Sequence, residues 1–182
     1  MAEASRPEKA NLICAVLAGQ DAWFAEAMDR MEKLFGPTDI ESEVWPFDFT
    51  DYYAEEMGSP LLRRFYSFKE LIAPDNLPAI KHTTNRLEKE LARALPQAPP
   101  RPVNLDPGFV CLSKLVLATT KDHAHRVYIG AGIYGESTLH WRDGAFLPWE
   151  WTYPDYRREE CREFFGRVRE LYREKLTRPQ GR

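Results

Sequence analysis

Apolar residues form one unbroken run near the start of the chain, Leu12-Ile-Cys-Ala-Val-Leu-Ala18, which ends at Gly19. A strand covered on one face alternates with polar residues, so a run without interruption predicts a strand buried on both faces. The period then becomes helical. Phe24, Ala27, Met28, Met31, Leu34 and Phe35 recur at helix spacing, with Asp21 placed to cap the start and Gly36-Pro37 to stop the end. Ile40 to Phe47 alternates weakly and contains Pro46, which predicts an edge strand or a strand end. Arg64 to Leu71 alternates Phe65, Ser67 and Lys69 against Tyr66, Phe68 and Glu70 and reads as a strand, or as a loop whose aromatic face packs on the core. Asp75 or Asn76 is placed to cap a second helix whose stripe is Leu77, Ile80, Thr84, Leu87, Leu91 and Leu95.

Residues 96–102, PQAPPRP, break that helix with four prolines in seven positions. Both flanks are patterned, so the stretch reads as a stiff spacer inside one domain. Phe109 to Thr119 then reads as one strand, of a length that also accommodates a short helix. Arg126 to Ile129 and Ile133 to Trp141 follow as strands around Gly130-Ala-Gly132, and Asp143-Gly144 marks a hairpin turn before Phe146. Alternation places Tyr134, Glu136, Thr138 and His140 on one face and Ile133, Leu139 and Trp141 on the other, taken as the buried one. Thr152-Tyr-Pro-Asp155 matches the start of a capped helix carrying Cys161, Phe164, Phe165, Val168, Leu171 and Tyr172. Residues 1–9 and 177–182 read as disordered tails. The order predicts a single α+β domain over residues 1–182, with a mixed or antiparallel sheet and helices packed on it. Its first part fits a ferredoxin-like arrangement, followed by a C-terminal β-hairpin and a long helix.

Composition narrows the function classes. A chain of 182 residues with 43% hydrophobic and 29% charged residues has the makings of an ordinary packed domain. Its formal charge of -3 supplies no overall field toward DNA or an anionic membrane, and no DNA-binding signature is present. No window approaches the roughly 20 apolar residues of a membrane span, and the start does not read as a signal peptide. Cys14, Cys111 and Cys161 lie far apart without a C-x-x-C spacing, and read as reduced core residues of a cytoplasmic protein.

The segments NLICAVLAG, WPFDFTDYYAEEMG, RPVNLDPGFVCLSKLVLATTKDHAHRVYIGAGIYGE and WTYPDYR together resemble an uncharacterised bacterial family, domain-of-unknown-function family 4416. The resemblance spans nearly the whole chain and implies no established reaction. Some members carry a GTP-binding label. The residues here do not supply the chemistry of that label: no G-x-x-x-x-G-K-[ST] loop exists, and no second glycine follows Gly19 before Gly36.

The densest polar constellation lies between Thr120 and Glu136. Asp122, His125 and Glu136 are the candidates for acid–base catalysis, because an imidazole beside a carboxylate can take and return a proton. Thr120, Lys121 and Arg126 are candidates for holding a phosphate or carboxylate. Lys114, which interrupts an apolar strand, is either at a sheet edge or paired inside with a carboxylate such as Asp106; Asp106-Pro107-Gly108 is itself a turn signal. No metal site is expected. The histidines lack an H-x-x-x-H or H-E-x-x-H spacing, and Asp48, Asp51, Glu55 and Glu56 lack the spacing of a calcium loop. No particular cofactor is indicated. Two classes remain: a binder of a small anionic, phosphate- or nucleotide-like ligand, and a non-catalytic module that binds a protein or RNA partner through Phe47 to Tyr53 or the terminal helix.

Overall fold

The computed structural model describes residues 3–95 and 97–177. Strand β1 (Ala10–Ala18) is buried along its whole length, as its uninterrupted apolar run requires. It runs between β4 (Leu61–Ile72) and β5 (Val103–Val110) and is antiparallel to both. The remaining strands are β2 (Thr38–Glu41), β3 (Trp45–Phe47), β6 (Lys114–Thr119), β7 (Arg126–Gly130), β8 (Ile133–Arg142) and β9 (Ala145–Pro148). All pair antiparallel in one sheet of order β2-β4-β1-β5-β6-β8-β7, with β3 on β4 and β9 on β8. The sheet therefore crosses the Pro-rich spacer, and both halves of the chain build one domain. Pro96, and the predicted tail beyond Thr177, lie outside the described residues, as do residues 1 and 2; residues 3–9 are irregular and exposed.

The first half is the ferredoxin-like arrangement expected. Helix α1 (Asp21–Phe35) connects β1 to β2, leaving room for β4 between them, and α3 (Leu77–Ala94) connects β4 to β5 around β1. Both helices pack on one sheet face: Phe24, Met31, Ile80, Leu87 and Leu91 meet the even-numbered residues Leu12, Cys14 and Val16. Helix α5 (Glu159–Thr177) covers the other face. There Phe164, Phe165 and Val168 meet Ile13, Ala15 and Phe65. Two short helices, α2 (Ala54–Met57) and α4 (Pro154–Arg157), complete the layers.

Several local expectations are corrected. The stretch FVCLSKLVLAT is two strands, because Cys111-Leu112-Ser113 turns the chain between β5 and β6. Cys111 is accordingly half-buried at a turn, while Cys14 and Cys161 are core residues. Asp106-Pro107-Gly108 is not a turn but the middle of β5. Asp21 does not cap α1: the N-cap is Gln20 and makes no side-chain cap bond, nor does Asn76 before α3. The terminal helix is interrupted at Arg158, whose extended ψ of 143° separates α4 from α5. Thr152 serves the loop instead, accepting from the Trp149 N–H at 2.8 Å and donating to the Thr138 carbonyl at 2.6 Å. In β8 both faces are covered, so Glu136 and Thr138 are buried alongside Ile133 and Leu139. Asp143 and Gly144 take positive φ of 53° and 83°, the tight hairpin turn their sequence predicts. Among the described residues no helix is long and apolar enough to cross a membrane.

Candidate functional site

The site arises where the sheet divides. β5 and β6 pair only from Gly108 to Val110 against Leu115 to Leu117, and Pro107, which has no N–H to give a ladder, sits where they part. Gly108 makes the last contact possible, since a Cβ there would lie 2.3 Å from the Val116 carbonyl oxygen. Beyond it the free edge of β5 is served by α3. Lys81 Nζ donates to the Leu105 carbonyl at 2.9 Å, and Glu88 Oε1 accepts from the Leu105 N–H at 2.7 Å. The fork opens into a cavity of about 500 Å³, within the size range of sites for small organic ligands.

Strand and helix periodicity set its charged wall. Asn104 and Asp106, two residues apart on β5, share a face; Lys81 and Glu88, two turns apart on α3, share another. Lys81 Nζ lies 3.3 Å from Asp106 Oδ1, Asn104 Nδ2 donates to Asp106 Oδ2 at 2.6 Å, and Arg101 reaches Glu88 at 2.9 Å. Arg101 also donates to Asn104 and approaches Glu56 at 3.5 Å. Burial pushes the Asp106 carboxyl up, but Lys81, Arg63 and the Asn104 amide outweigh it and hold the group below the usual range. Glu88 goes the other way, because its burial outweighs Arg101 and Lys81.

Arg63 of β4 enters from the neighbouring strand and is 5% exposed. Its Nη2 is 3.1 Å from Asp155 Oδ2, close enough for an ion pair but misaligned for a hydrogen bond, and its Nη1 is 3.9 Å from Asp106. Among the described residues, Nε and Nη1 have no hydrogen-bond acceptor. The guanidinium rests on the Phe47 and Phe65 rings, 5.1 and 5.8 Å from their centroids. Burial raises the Asp155 carboxyl, and Arg63 only partly offsets this. The buried Tyr156 hydroxyl beside them is also without a hydrogen-bond partner among the described residues, and burial raises its proton affinity strongly.

Of the residues singled out in the sequence, Asp106, Thr120, Lys121, Arg126 and Glu136 line this one cavity. Arg126 and Glu136 are a fully engaged pair. Arg126 Nε donates to Glu136 Oε2 at 2.8 Å, Nη1 to the Lys121 carbonyl at 3.1 Å, and Nη2 to the Tyr153 hydroxyl at 2.8 Å. Glu136 also meets His125 Nε2 at 3.2 Å and accepts from Thr138 at 3.3 Å. Lys121 is different. Its ammonium has no carboxylate within ion-pair distance among the described residues and lies instead 3.0 Å from the Tyr52 hydroxyl and 4.4 Å from that ring's centroid.

Three candidates fall outside the cavity. His125 stands behind Glu136 in an outer column of stacked rings: His123 at 5.9 Å, Trp151 at 5.5 Å, then Trp149 on Trp151 at 5.2 Å. Asp122 is exposed. Lys114 is exposed at the start of β6, about 16 Å along the strand from Thr119 at the rise of an extended chain; Asp106 takes Lys81 and Arg63 in its place. The aromatic stretch is largely cavity wall, with Phe47, Phe49, Tyr52 and Tyr53 all lining it.

Sequence reasoning missed Arg63, Lys81, Arg101, Asn104 and Asp155. Two left a readable trace. Lys81 and Glu88 flank Thr84 on the buried stripe of α3, and Arg63 shares the inward parity of Leu61 and Phe65 on β4. A charge at a position the pattern assigns to the core needs a partner or a ligand. No curated protein and no solved structure matches this chain. A family model described as Domain of unknown function (DUF4416) does match it over residues 8–172, so the chain belongs to that family.

Proposed function

We propose that the cavity binds a small anionic ligand, a phosphate- or nucleotide-like compound, in a reducing cytoplasmic setting that suits three free cysteines. The observation that carries this reading is Arg63: a buried guanidinium in the cavity wall with two nitrogens that lack an acceptor among the described residues. A guanidinium presents five N–H groups, and each one left unsatisfied in the interior costs about 1–3 kcal/mol. An oxyanion offers several acceptors at once and pairs with the fork of an arginine. Lys121, the cation at the mouth without a carboxylate partner, supplies the second positive group. Arg126 and Glu136 are committed to each other and to Tyr153, Thr138 and His125, which makes them anchors of the wall; the reading is therefore of binding, with His125 as an imidazole held by a wall carboxylate. The interaction-module reading has less to support it, because Phe47 and Tyr53 pack in a core cluster and do not form a flat outer patch.

The test is thermal unfolding against a panel of phosphate and carboxylate metabolites. A ligand at about 100 times its Kd stabilises by about 2.7 kcal/mol, which raises the Tm by about 5–10 °C for a chain of this size. Lys121→Ala should cut that shift to a small fraction while leaving the ligand-free Tm nearly unchanged, since Lys121 is exposed. Full shifts in Lys121→Ala, and in Arg63→Lys as a second variant, would overturn the reading.

A further inference from the structure

Size and wall chemistry of the cavity go beyond what a bare anion requires. A tetrahedral oxyanion fills the space of only a few waters, each with a share of about 30 Å³ in the liquid, against about 500 Å³ here. The remaining space is not uniformly polar. Arg63, Lys81, Asn104 and Asp106 form the charged end in the strand fork, whereas Phe49 and Tyr52 on the segment between β3 and α2 form an aromatic end; Tyr53 of the same segment is close enough to Asp106 and Arg63 to feel their charge.

Ring geometry distinguishes that aromatic end from the outer column of rings behind Glu136. Phe47 and Phe49 meet at 75°, Phe47 and Tyr53 at 63°, and Tyr52 and Tyr53 at 88° with centroids 5.0 Å apart. An edge-on contact covers a face of only one of its two rings, so less ring face is covered than in a parallel stack. In the outer column the rings of His123, His125, Trp151 and Trp149 lie within 5–15° of parallel, so they cover one another's faces. Phe49 remains 39% and Tyr52 64% exposed, an apolar area that the protein itself does not bury. Lys121 ties the two ends together, because its ammonium, which has no carboxylate partner among the described residues, is seated against the Tyr52 ring and hydroxyl. A ligand charge drawn to Lys121 therefore comes to lie beside the exposed Tyr52 ring.

Resting on the anion-binding reading, we infer that the ligand of this cavity is an aromatic anion: a planar ring bearing a phosphate or carboxylate, the ring seated on Phe49 and Tyr52 and the anionic group directed to Lys121 and Arg63. The ring contributes apolar burial and stacking and the anion contributes the charge-assisted hydrogen bonds, so the two parts are separable by experiment.

Titration calorimetry of the intact protein with two matched pairs of probes, inorganic phosphate with phenyl phosphate and acetate with benzoate, separates them. The expected result is that in at least one pair the aromatic member binds ten-fold or more tightly. Phe49→Ala and Tyr52→Ala should each bring that ratio close to one, and Tyr52→Phe should retain it. Equal affinities within both pairs, or a ratio unchanged in both alanine variants, would overturn the inference and leave anion binding standing. Absence of binding by all four probes would remove the anion-binding reading and this inference with it.

Discussion

Arg126 and Arg63 are both buried arginines of one cavity wall, yet their bonding differs completely. Every nitrogen of Arg126 has an acceptor, and its partner Glu136 is 2% exposed, so the pair is a structural tie holding the Lys121 loop and Tyr153 to β8. Removing one member leaves a buried charge without its main partner, which costs about 3–5 kcal/mol. Arg126→Ala should therefore destabilise by that amount in urea denaturation, and adding Glu136→Ala should recover a large part of it. A double variant no better than the single would show that the two do not act as a pair. Arg63 has unmet donors instead, which is why it belongs in the argument for a ligand and Arg126 does not.

At the scale of elements the decisive feature is the place where β5 and β6 stop pairing. Gly108 permits the last close contact, and α3 satisfies the edge that follows. Gly108→Ala would set a methyl 2.3 Å from the Val116 carbonyl and 2.8 Å from a Leu117 methyl carbon, so the strands must move apart. Overpacking of this kind costs about 1–3 kcal/mol or more. A drop in Tm of several degrees is expected, and a variant as stable as the parent would show that the fork is not held by that contact. Legibility in the sequence stops at the same point. The strand pattern of FVCLSKLVLAT was visible, but the turn at Cys111-Leu112-Ser113 carries no Gly, Pro or Asn to announce it, and DPG advertises a turn that β1 overrides by pairing with it.

Across the whole molecule, buried carboxyls displaced in opposite directions set the response to acid. Burial raises Asp155 and Glu88 in the folded state, so the fold binds their protons more tightly than the unfolded chain does, and stability rises as pH falls toward the ordinary carboxyl range. Asp106 is held low by Lys81 and Arg63, so its contribution is present above its ordinary value of 3.8 and is lost as pH falls below it. Tm measured from pH 7 to pH 3 should climb before it falls. Asp155→Asn should flatten the climb, and a monotonic decline in the unchanged protein would contradict the opposed shifts. The sequence by itself determined the elements: the doubly buried first strand, the two amphipathic helices behind it, the final hairpin and the family, because apolar period and turn chemistry are local. It also picked out Asp106, Lys121, Arg126 and Glu136, whose polar character stands out against their neighbours. Only the tertiary structure decided which charges meet. Arg63, Lys81, Asp106 and Asp155 come from positions up to 92 residues apart. Strand order and register bring them to one fork, and carry Lys114 to the far end of its strand; those long-range pairings are a property of the assembled sheet, and no short stretch of chain encodes them.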